Sequence, residues 1–366
     1  MVRIATLTAV LAGLPVAFVA PQGCARKKGG LVLAMSTDMR APKDVNAVGV
    51  TVSTNNVIRT SFIARVAPDG EVKLPATLAI VQPDDENATI RIRVLALQES
   101  KVRVLRDVRT TVPRDGRIAL LRIPLNFIND ESAVGQIPAA KLPPFSSRSS
   151  SGVKTLGEQP GGEDPTEAIA LITSTCPGNH ETVVDGQCIG DSVDSSSLPE
   201  FSDALVRAGG ASACFDTARC FTEAREASVD REKCKATVTG KVEQLNVALA
   251  TESTGECVAP GRCLVPLDRG PSGWQPTDEK ASGGAVLALA KGICKKIAAG
   301  AKLLEANSTT CPPKTEANPV CQSGSTDAGA AVVDTGQSCL PPGADCTAGD
   351  RSCCVRPCEK GVCPGE

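Results

Sequence analysis

The cysteines are spread so unevenly that they divide the chain before any other feature is weighed. Residues 25–175 contain none, Cys24 stands alone, and the other sixteen of the seventeen lie from Cys176 onward. At that density thiols are held by a metal or by one another. Zinc fingers and ribbons use paired C-x-x-C knuckles, and this sequence has no C-x-x-C. The single histidine, His180, excludes any apparatus that needs two, and no catalytic triad can be assigned around it. The sixteen therefore read as disulfides made in an oxidising compartment, an even set that can pair completely. Cys24 is left over.

What precedes Cys24 accounts for it. Arg3 supplies a positive start, and an apolar run from Ile4 to Ala20 has the length of a signal-peptide core, short for a bilayer span. The run ends Ala20-Pro21-Gln22-Gly23-Cys24, and a small residue directly before Cys resembles the bacterial lipoprotein cleavage box, with Pro21 where that box has Leu. The resemblance implies a signal peptide over 1–23, lipid attachment at Cys24 and an anchor segment over 24–29. Ala25 stands where lipoproteins kept at the inner membrane carry Asp, so the outer membrane is implied; plain secretion is the alternative. No later stretch is long and apolar enough to span a membrane.

Residues 30–129 read as a β-sandwich domain. Leu31–Met35, Ala47–Val52, Phe62–Val66, Ile90–Val94, Val102–Val104 and Ile118–Ile123 are short, β-branched runs, and Asp69-Gly70 and Asp115-Gly116 are hairpin-turn dipeptides. Strands at this spacing fit a transthyretin-like or an immunoglobulin-like topology equally. With Tyr absent, one Trp and seven Phe, the core must rest on Val, Leu, Ile and Ala. Residues 130–173, rich in Pro, Gly and Ser, read as a disordered linker. Residues 174–321 read as a disulfide-rich α+β or β domain. In it Cys176 and Cys188 close a hairpin turning at Asp185-Gly186, and Cys257 and Cys263 bracket a tight turn between two strands. Helices are expected over Pro199–Ala208 and Phe221–Lys233, and residues 286–306 suit one helix or strand–helix–strand equally. A second linker covers 322–338, and 339–366 form their own unit.

Charge points to a surface. Residues 1–129 have an excess of eight positive charges and the remainder an excess of ten negative ones. The cations concentrate between Arg91 and Arg122. Alternation in Ile90-Arg-Ile-Arg puts Arg91 and Arg93 on one sheet face, with Lys101 and Arg103 following on the next strand. These four are the candidate binding residues, for lipid phosphate, acidic polysaccharide or the acidic second half of the chain. Nucleic acid is disfavoured by export and by the lack of stacking aromatics. The nucleotide, hydrolase and metalloprotease motifs are absent, so no enzyme, cofactor or metal is expected.

The tail has the most specific spacing: Cys339-x6-Cys346-x6-Cys353-Cys354-x3-Cys358-x4-Cys363. It resembles the knottin, or inhibitor cystine knot, family in count, in the adjacent pair and in loop lengths. That resemblance implies the pairings Cys339–Cys354, Cys346–Cys358 and Cys353–Cys363. Signal, Cys box, β domain, linker and Cys-rich tail together resemble multi-domain Cys-rich lipoproteins of Gram-negative bacteria. The expectation is a mainly β, multi-domain, lipid-anchored envelope protein with non-enzymatic binding modules for a protein or glycan outside the cytoplasm. The alternative is a secreted effector whose knottin-like tail inhibits a protease.

Overall fold

A computed structural model describes residues 29–66, 72–114, 116–143, 164–208, 214–281, 284–307, 309 and 311–322. The expected signal peptide, Cys24 and the knottin-like tail with its six cysteines lie outside the described residues, as do Asp69-Gly70, residues 144–163 of the first expected linker and nearly all of the second. What is described is mainly β.

The first seven strands are β1 (Gly30–Ser36), β2 (Ala47–Thr54), β3 (Val57–Arg65), β4 (Ala76–Val81), β5 (Ile90–Gln98), β6 (Lys101–Thr110) and β7 (Ile118–Pro124). They form a three-stranded sheet in the order β4-β1-β7 and a four-stranded sheet in the order β3-β2-β5-β6. β1 runs parallel to β7, and the other pairings in these sheets are antiparallel. The β2–β3 hairpin turns on Asn55 and Asn56, both at positive φ, a conformation Asn tolerates because its short amide bonds locally. Leu31, Leu33 and Met35 of β1 meet Val48, Val50 and Val52 of β2 and Ile90, Ile92 and Val94 of β5 in one buried cluster.

The four-stranded sheet has a second apolar face. Ala47, Ile63, Leu95, Leu97, Val102 and Leu105 form a separate buried cluster with Ile137, Leu142, Ala168, Ile169 and Ile172. The covering residues come from the segment expected as a linker. Its described parts carry β8 (Ala133–Val134), the short helix α1 (Thr166–Ala170) and β9 (Thr173–Ser174), with β8 and β9 paired. The physical reason is visible in β5. Its alternation stops at Val94, and Val94-Leu-Ala-Leu97 is continuously apolar, the pattern of a strand end buried on both faces.

The second half begins with the hairpin β10 (Glu181–Val184) and β11 (Gln187–Gly190), followed by α2 (Asp203–Val206) and α3 (Thr217–Cys220). Then come β12 (Arg225–Glu226), β13 (Ser228–Asp230), β14 (Lys235–Val238), β15 (Leu245–Thr251), β16 (Glu256–Ala259), β17 (Arg262–Leu267), β18 (Trp274–Ala281), β19 (Gly284–Leu289), α4 (Lys291–Ala298) and β20 (Lys302–Asn307). Residues 286–306 are thus strand–helix–strand. The sheets are β12-β20-β15-β17-β16 and β13-β14-β19-β18. In place of a helix over 221–233, residues 225–230 pair with β20 and β14, because sheet pairing between two bridged cysteines, Cys220 and Cys234, outweighs local helix preference. The helix expected from Pro199 shrinks to α2, since Pro199 and Phe201 bond along the edge of β7.

Both halves share one core. Val247, Leu249, Val265, Leu287, Ile293, Ile297 and Leu303 belong to the same buried cluster as Leu31, Val50 and Ile92. Ten cysteines form five disulfides: Cys176–Cys188, Cys214–Cys321, Cys220–Cys311, Cys234–Cys294 and Cys257–Cys263. The last four are nested one inside another along the sequence. No described helix is long and apolar enough to cross a membrane.

Candidate functional site

A groove of about 340 Å³ opens on the second face of the four-stranded sheet, where its apolar half gives way to polar residues. Thr51 and Ser53 of β2, Asn56 and Ile58 of the β2–β3 hairpin, and Arg91 and Arg93 of β5 line one side. Thr166, Ile169 and Ala170 of α1, with Ile172 and Thr173 after it, line the other. Register places these residues: Thr51 lies opposite Arg93 and Ser53 opposite Arg91, while Arg93 lies opposite Asp107 of β6 and Arg91 opposite Arg109.

The two arginines differ in what they do. Arg93 makes a forked pair with Asp107, Nε to Oδ1 at 3.0 Å and Nη2 to Oδ2 at 2.7 Å. Its Nη1 donates to the carbonyls of Ile169 (3.2 Å), Ala170 (3.4 Å) and Ile172 (2.9 Å), satisfying groups that α1 leaves open at its end. Arg93 therefore clamps the helix to the sheet, and its side chain is 13% exposed. Arg91 donates to Asp107 through Nη2 alone, at 3.2 Å, its Nε is buried without a partner, and its side chain is 37% exposed. Burial pushes the Asp107 carboxyl up, but the hydrogen bonds and charges of Arg93 and Arg91 outweigh that and hold it below the ordinary value. Arg109 pairs with buried Asp191 at 3.2 Å. Among these five groups three guanidiniums, Arg91, Arg93 and Arg109, thus meet two carboxylates, Asp107 and Asp191, an excess of one positive charge.

Lys101 and Arg103 lie away from the groove. Lys101 is exposed at the start of β6, where it bridges to Gln136. Arg103 is buried. Its Nε donates to Asp130 Oδ1 at 3.1 Å, its Nη2 to Asp130 and to Thr254 Oγ1 (3.3 Å), and its Nη1 to the Asp44 carbonyl at 3.4 Å. It ties the first half to the second.

Several other groups with chemical potential lie outside the groove. Among the described residues, Cys176, Glu181 and Cys188 cluster as metal-type donors, but the two sulfurs are joined in a disulfide and Glu181 accepts from the Gly178 N–H at 2.9 Å. His180 is exposed beside them. At the junction of the halves, Asp38 is buried with Oδ1 accepting from Phe127 N–H at 2.7 Å, and Lys314 bonds Asp268 at 2.6 Å. Burial pushes Asp38 up to about 7, against the Phe127 hydrogen bond; the nearby Asp268 charge adds to the rise and Lys314 opposes it. Sequence reasoning found Arg91 and Arg93 by alternation. It missed Asp107 as their partner, Thr51 and Ser53 across the register, and the α1 wall, for which the break in β5 alternation was the available signal.

Compared with protein-family models, curated proteins and solved structures, the chain has no match.

Proposed function

We propose that this is an exported, lipid-anchored protein of the outer membrane that works as a non-enzymatic binding module for a partner outside the cytoplasm, and that the groove over β5 is a binding surface. The observation that carries the reading is Arg91. It lines an open groove with one donor engaged, within a setting of net positive charge. The five disulfides support an extracellular or envelope location, where thiols stay oxidised. Gly23-Cys24 supports lipid attachment there. Asp107, held below its ordinary value by two guanidiniums, is a weak base, which favours binding over proton transfer in the groove.

Fractionation tests the anchor. In cells making the whole chain, the protein is expected in the outer-membrane fraction and in the detergent phase, and Cys24→Ser is expected in the aqueous phase. A Cys24→Ser chain that still partitions into detergent overturns it.

A further inference from the structure

On the reading that the groove binds a ligand, its walls restrict what that ligand is. Charge comes first. All the bonds of Arg93 are internal, so Arg91 is the cation presented to a guest, and the surplus is one charge. A guest with one carboxylate per subsite matches that surplus, whereas a neutral guest leaves it uncompensated. The second restriction is hydrogen bonding. Thr51 is engaged with Ser61 at 2.9 Å. Ser53, Asn56 and Thr173 also line the groove, and no side-chain hydrogen bond engages them among the described residues. Two hydroxyls and an amide, each able to donate and accept, suit a guest that carries hydroxyls of its own.

Shape comes third. Ile58 and Ala170, both exposed, give the groove apolar patches beside its polar groups, as the C–H faces of a sugar ring require. There is no aromatic platform, so a neutral sugar would lack its usual stacking partner and affinity must come through the charge. A volume near 340 Å³ is at the small end for ligand sites, enough for one or two rings. An extended peptide fits less well. It would need regular backbone partners along the edge strand β3, and the β2–β3 pairing is bulged between Val52 and Ser53, beside Ile58.

We propose that the groove binds a carboxylate-bearing sugar of an acidic polysaccharide, with Arg91 donating to the carboxylate, Ser53, Asn56 and Thr173 meeting the ring hydroxyls, and Arg93 acting as a positioning residue that holds α1 as the opposite wall. Recognition is by one charge in a hydroxyl-lined slot.

The test is calorimetric titration of the whole mature protein with trigalacturonate, its methyl ester and triglutamate. Trigalacturonate is expected to bind, and the methyl ester at least ten-fold more weakly. Arg91→Ala is expected to lose ten-fold or more, and Arg91→Lys to lose less, since it keeps the charge but not the fork. Lys101→Ala, outside the groove, is expected to bind as the parent does. Melting temperature monitors the fold of each variant, and Arg91→Lys keeps the comparison usable if Arg91→Ala folds poorly. Equal affinity for acid and ester overturns the carboxylate assignment. Arg91-dependent binding of triglutamate but not trigalacturonate overturns the sugar and leaves the groove a binding site. If no acidic guest binds in an Arg91-dependent way, the groove reading falls as well.

Discussion

Arg91 and Arg93 stand two residues apart on one strand and share Asp107, yet only Arg91 keeps a donor free, because Arg93 is also fastened to the end of α1. Position on a strand sets the face; what packs against that face sets the role. Asp38 illustrates the same dependence on surroundings through pH. Its carboxyl titrates near 7 in the fold because burial penalises the charge, against about 3.9 in an unfolded chain. A raised carboxyl makes the folded state hold the proton more tightly, so this contribution to stability is full below about pH 4 and is lost as pH rises through about 7. Asp107 is lowered, has the opposite sign and acts only at the acid end, so the two windows do not overlap. Thermal melting from pH 4 to 8 is expected to show a fall that Asp38→Asn removes, by a few kcal/mol across the window. An unchanged slope in Asp38→Asn would rule Asp38 out as its source.

At the level of elements, the short helix α1 and the turns around it decide whether the four-stranded sheet has a covered second face. Ile169 is fully buried there against Leu95 and Leu97. Ile169→Ala should cost about 2–4 kcal/mol in urea unfolding, the range for truncating a well-packed side chain; a loss below about 0.5 kcal/mol would mean that α1 rests on the sheet without stabilising it. Much of the β architecture was legible in the sequence. Short β-branched runs marked β2, β5 and β7, with alternation in β5, and Asp185-Gly186 marked the β10–β11 turn, where both residues take positive φ. The cover was not, because Ile137 and Leu142 stand singly before prolines and the short apolar run Ala168–Ile172 follows a Pro-, Gly- and Ser-rich stretch, so these residues acquire meaning only against the sheet. Charge density groups Arg103 with Arg91 and Arg93, and does not report that Asp130 and Asp44 lie beneath it. β12 and β13 were hidden for a related reason: their partners, β20 and β14, are identified by the fold and not by local preference.

Across the whole molecule, the core that begins at Leu31 is completed by residues as late as Leu303, so the two β-rich halves stabilise each other. A chain ending at residue 208 is expected to lack a cooperative melting transition, whereas the full chain should show one transition over residues 29–322. Independent folding of residues 30–129, seen as a cooperative melt of that piece alone, would refute this. Bridges closing loops of 60, 91 and 107 residues add about 4–5 kcal/mol each in the chain-entropy model, so reduction should lower the melting temperature of the entire unit. The nesting of those bridges has a consequence in time. A secreted chain emerges amino end first, and Cys214, Cys220 and Cys234 reach the oxidising side before Cys294, Cys311 and Cys321 exist there. Joining neighbours as they arrive would link Cys214 to Cys220 and trap a wrong isomer. The native pattern can be reached only if the early thiols wait or if early bonds are later reshuffled. Wherever the early bonds form first, reshuffling must follow, so a host that supplies an isomerase as well as an oxidant is expected to give more of the native pattern than one with the oxidant alone.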